Sequence, residues 1–70
     1  MSARYEIVVA GEAGPMLLAA LDGFTLRPGP SGSVHLIGAL ADQAALQAAL
    51  HRIHDLHAEI LEVRRLDVTR

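Results

Sequence analysis

The sequence predicts a single α+β domain in the order β-α-β-β-α-β, with a four-stranded antiparallel sheet and two helices on one of its faces. Three observations carry this expectation. Between Ala41 and Leu66, Leu46, Leu50, Ile53 and Leu56 recur at helical spacing and give way to the short apolar run Ile60, Leu61 and Val63 among charges. A period of 3.6 and a period of 2 cannot share one element, so a helix ends near His57 and a strand begins. Arg4 to Ala10 is rich in β-branched and aromatic residues, as a half-buried strand requires. The chain has 70 residues, room for one domain (1–70), and no stretch reads as a linker.

The elements follow in order. In the first strand, Arg4 to Ala10, Tyr5, Ile7 and Val9 share one face while Glu6 and Val8 take the other. Gly11 to Gly14 is a loop, and Pro15 sits where a helix accepts its first residue, because an N–H there would be unpaired anyway. Met16 to Leu21 make a short helix, stopped at Gly23, a residue suited to a left-handed backbone. Phe24 to Arg27 alternate as the second strand, and Pro28 to Ser33 form a loop of small residues. Val34 to Leu40 is the third strand. Asp42 is placed to cap the helix Gln43 to Leu56, its carboxylate accepting from unpaired amides. The fourth strand spans Glu59 to Leu66, and Asp67 to Arg70 is a polar tail.

Alternation then assigns the faces. Tyr5, Ile7, Val9, Phe24, Leu26, Val34, Leu36, Leu61 and Val63 are expected beneath the helices. The open face is expected to carry Glu6, Thr25, Arg27, Ala39, Glu62 and Arg64, with Val8, His35, Ile37 and Ile60 as an interface patch. Scattered surface apolars are ordinary. A patch across three neighbouring strands of so small a domain instead suggests burial against a second copy, with Glu6 or Glu62 meeting Arg27 or Arg64 across the interface.

Composition narrows the function classes. There is no cysteine, hence no disulfide and no thiolate metal site, which suits a reducing compartment. Arginine supplies all six positive charges, and the net charge of −2 removes the usual electrostatic basis for nucleic-acid or anionic-membrane binding. The N-terminus runs directly into a strand pattern with no signal-peptide character, and no apolar run approaches the ~20 residues of a membrane span. A cytoplasmic domain is expected.

His51, His54 and His57 recur every third residue, so on a helix they occupy a sector of about 120° and neighbours could share a metal ion. They are weak metal candidates, since three histidines at this spacing have no anchoring fourth ligand. His57 has a structural explanation: it lies where the helix must stop, a place for residues that tolerate positive φ. No cofactor is indicated. Catalytic groupings are also missing: Ser2, Ser31 and Ser33 lie in tail or loop without an activating pair, and the GEAGP segment lacks the basic residue of a phosphate site. A non-enzyme is expected.

The β-α-β-β-α-β order is that of the ferredoxin-like sandwiches. Among these, the stretch IVVAGEAGPMLLAAL resembles the first strand and loop of ACT-type regulatory domains, a resemblance that implies small-ligand binding between chains and transfers no site residue. RNA-recognition domains would need aromatics where Val8, His35 and Ile37 stand, metallochaperones a cysteine pair, and acylphosphatases an arginine in the first loop. The segment DQAALQAALHRIHDLHAEILEVRRL is similar to the C-terminal half of short uncharacterised proteins of high-GC bacteria. The function expected is therefore a non-catalytic interaction or regulatory module, homodimeric through the open face or bound to an unidentified protein partner. A ligand or metal sensor is the alternative, and an enzyme with its site at the dimer interface comes third.

Overall fold

Backbone groups buried in a strand must find partners, and here four strands pair in one antiparallel sheet. The computed structural model describes residues 3–11 and 14–66. Along the chain run β1 (Ala3–Ala10), α1 (Gly14–Ala20), β2 (Phe24–Pro28), a 3-10 turn (Pro30–Gly32), β3 (Val34–Leu40), α2 (Gln43–Asp55) and β4 (Glu59–Arg65). The strands lie in the order β2-β3-β1-β4, so β1 and β3 are central and β2 and β4 are edges. The α+β class, the element order and the antiparallel sheet are as the sequence predicts.

Both helices cover the same face. Leu17 and Leu21 at α1, and Ala49 and Ile53 on α2, join one buried cluster with Ile7, Val9, Phe24 and Leu36 from the sheet. A smaller cluster of Ala3, Tyr5 and Leu46 continues it along α2. Gly38, opposite both Tyr5 and Phe24 in the ladders, makes room for an aromatic ring: a Cβ built there would lie 2.7 Å from Phe24 Cγ.

Helix α2 is closed at both ends by its own sequence. Asp42 Oδ1 accepts from the Ala45 amide at 2.8 Å, the expected N-cap. At the other end the Ala58 amide donates to Ile53 O and the His57 amide to His54 O, with His57 at φ 60°. This is a Schellman arrangement with histidine in the left-handed position, and Ala58 packs beside Ile53 against the core.

The fourth strand departs from strict alternation. Val8 pairs with Glu62 but Val9 pairs with Ile60, so Leu61 is an extra residue, a β-bulge. Unbroken alternation would place Ile60 with Glu62 on the open face. The bulge lets apolar Ile60 turn toward the helices, where it packs against the main core, while Glu62 and Arg64 stay opposite Val8 and Glu6. The expectation that Ile60 belongs to the open-face patch and that Leu61 is covered is therefore corrected, whereas Val63 keeps its helix-side place opposite Ile7 but is left uncovered at the sheet edge. Leu61 and Val63 are 52% and 39% exposed.

Candidate functional site

On the open face the ladders align two rows across all four strands: Thr25, Ile37, Glu6 and Arg64, then Arg27, His35, Val8 and Glu62. The structure sets Val8 opposite His35, with Ile37 two residues along β3, but Val8 is itself only 7% exposed. It also assembles a group that alternation alone did not reveal. Glu6, on central β1, is only 7% exposed. Its Oε1 accepts from Arg64 Nη2 at 2.6 Å and its Oε2 from His35 Nδ1 at 2.7 Å.

A buried carboxylate is tolerated only when paired and hydrogen-bonded, and Glu6 is both. The hydrogen bonds from Arg64 and then His35 hold its carboxyl below the ordinary glutamate range, while burial pushes the other way. With the carboxylate ionised, His35 Nδ1 carries the proton whatever the charge of the ring. The three side chains tie β3, β1 and β4 together on the face opposite the helices. The signal in the sequence was a lone acid within an apolar strand, but its partners lie 29 and 58 residues away.

The small-residue loop after β2 completes this centre. Gly29 has an ordinary extended backbone, yet a Cβ there would come within 2.5 Å of His35 Cδ2 and 2.6 Å of Nε2. The loop therefore lies against the imidazole edge turned away from Glu6. Ser33, in the same loop, donates its hydroxyl to Pro30 O at 2.8 Å. Chemically the assembly is a clamp: both carboxylate oxygens have partners, and the neighbouring hydroxyl is engaged with backbone.

The histidine row on α2 does not converge. His51 Nε2 lies 3.7 Å from Asp55 Oδ2 one turn on, both well exposed, and His57 occupies the left-handed cap. Among the described residues no three of His, Cys, Asp and Glu come together to hold a metal ion. The GEAGP loop falls partly outside the described residues. On the helix side, an open groove of about 230 Å³ runs between the helices past Leu21, Phe24, Ala45, Ala49 and Arg52, and Arg52 Nη1 donates to Ala20 O at 3.1 Å across it. Among the described residues no helix is long and apolar enough to cross a membrane.

Residues 4–64 match the family model described as a domain of unknown function, DUF8691, and the chain belongs to that family. No curated protein and no solved structure matches it.

Proposed function

We propose that this member of the DUF8691 family is a small non-catalytic interaction module that works by associating with a second copy of itself. The observation that carries the reading is the pair Leu61 and Val63, large apolar side chains left exposed on edge strand β4. A domain of this size has little core to spare, so association through these side chains would add burial that one copy lacks. The open face contributes Ile37, half-buried between Thr25 and Glu6, but its centre is a clamp already satisfied within one chain.

The same reading takes the arrangement to be ferredoxin-like. Support comes from the edge-to-edge order β4-β1-β3-β2 and from two helices packed on one face. A cysteine-free composition suits a reducing, cytoplasmic setting.

Sedimentation across the micromolar range tests association directly. A concentration-dependent dimer supports the reading, and a monomer throughout overturns it. Thermal melting with metal ions and a panel of small carboxylic acids tests the alternative: a rise in Tm would favour a sensor using the groove beside Arg52.

A further inference from the structure

The outer side of β4 offers more than two exposed apolar side chains. Leu66 donates its amide to Arg4 O at 2.8 Å, and antiparallel ladders alternate inward and outward backbone groups. Glu6–Arg64 and Val8–Glu62 are then pairs bonded toward β1, and the N–H and C=O of Val63 and Arg65 face away from the sheet. No strand among the described residues pairs with that side of β4. The bulge at Leu61 limits the regular edge to Glu62–Arg65.

Building on the self-association reading above, we infer that β4 pairs antiparallel with β4 of a second copy, with Val63 on the two-fold axis, to form a continuous eight-stranded sheet. Registers centred on each residue of this edge, Glu62 to Arg65, keep both helix layers on one side. With Glu62, Arg64 or Arg65 on the axis, two like charges meet, which is unfavourable. With Leu61 there, the bulge itself would have to pair. With Val63 there, each Val63 exchanges N–H···O=C bonds with its symmetry mate, and each Glu62 stands opposite the partner's Arg64.

Charge decides the choice. Within one chain Glu62 Oε2 is 3.8 Å from Arg64 Nε, and both side chains are more than half exposed. Across the axis the open-face row would read Glu6, Arg64, then the partner's Glu62 and the partner's Val8. Acid and base alternate through the junction, twice by symmetry. The segment is short, so a weak, reversible dimer is expected.

Val63→Pro tests this cleanly, because the donor it removes points away from β1 and the intrachain ladder survives. Sedimentation should show the wild-type dimer weakened about tenfold or more in Val63→Pro and in Glu62→Arg, with circular dichroism unchanged and Ile37→Lys still dimeric. Hydrogen exchange gives a mutation-free readout: the Val63 amide should become protected as concentration rises. If the chain dimerises but Ile37→Lys alone abolishes it and that amide stays unprotected, the copies meet through the open face and the edge pairing is overturned while the interaction reading stands. A wild-type monomer overturns both.

Discussion

Glu6 and His35 are held 2.7 Å apart on neighbouring central strands, and the glycine loop after β2 lies against the far side of the same imidazole. The ring is thus fixed between a carboxylate and a backbone that leaves no room for a methyl group. A polar centre of this kind makes the open face specific in register. Shifting β1 by one residue against β3 would carry Glu6 to the helix side, away from both partners.

The first prediction concerns pH. Because the Glu6 carboxyl is held below the ordinary glutamate range by Arg64 and His35, the unfolded chain takes up this proton at higher pH than the folded protein. Its contribution is fully present above the ordinary range and is lost as pH falls through the lowered folded value. Urea midpoints should fall across that acid window in the wild type and less steeply in Glu6→Gln. At neutral pH, Glu6→Ala should cost about 1–3 kcal/mol. An equally steep acid limb in Glu6→Gln would assign the effect to other carboxylates.

A second prediction isolates the loop. Gly29→Ala introduces no backbone strain, since its φ is −122°, but its methyl would overlap the His35 ring and Ser33 Oγ. The hydroxyl can rotate, whereas the imidazole must leave Glu6. Loss of about 1 kcal/mol is expected, and most of it should vanish in a His35→Ala background. Additive costs in the double variant would show that the methyl disturbs something other than the ring.

Much of this fold was legible because its signals are local. Asp42, the stripe through Leu46 and Ile53, and the run from Tyr5 to Val9 each specify an element within a few residues. The open-face clamp was not legible, because Glu6 meets His35 and Arg64 only after three strands align. The orientation of Ile60 was missed for another reason. ILEV offers two apolar neighbours for one inward position, and the bulge, set by pairing with Val8 and Val9, decides between them. The same bulge exposes Leu61, which alternation had placed inside.

The core should tolerate little loss. Ile53 is fully buried and bridges α2 to Ile7, Val9 and Leu36 within the main cluster. Ile53→Ala removes three carbons from a packed site, at a cost of about 2–5 kcal/mol. A domain this small holds only about 3–5 kcal/mol in total, so the variant should be largely unfolded at room temperature by circular dichroism. Ala48→Ser, at an exposed position of the same helix, should remain folded. A folded Ile53→Ala would mean that association or a larger core supplies stability beyond this range.

His57 offers the opposite sign. It holds φ 60° at the end of α2, where a side chain crowds the backbone and glycine does not. The two capping bonds, from His57 to His54 O and from Ala58 to Ile53 O, are made by backbone amides and do not depend on the imidazole. His57→Gly should therefore keep the cap and relieve the crowding. The greater freedom of glycine in the unfolded chain offsets part of this gain. A net stabilisation of about 0.5–1 kcal/mol is expected, read as a higher urea midpoint with an unchanged slope. His57→Ala keeps the Cβ and should gain nothing, so the pair separates backbone relief from loss of the ring. If His57→Gly destabilises while His57→Ala does not, the left-handed cap is not a source of strain and histidine fits it without penalty.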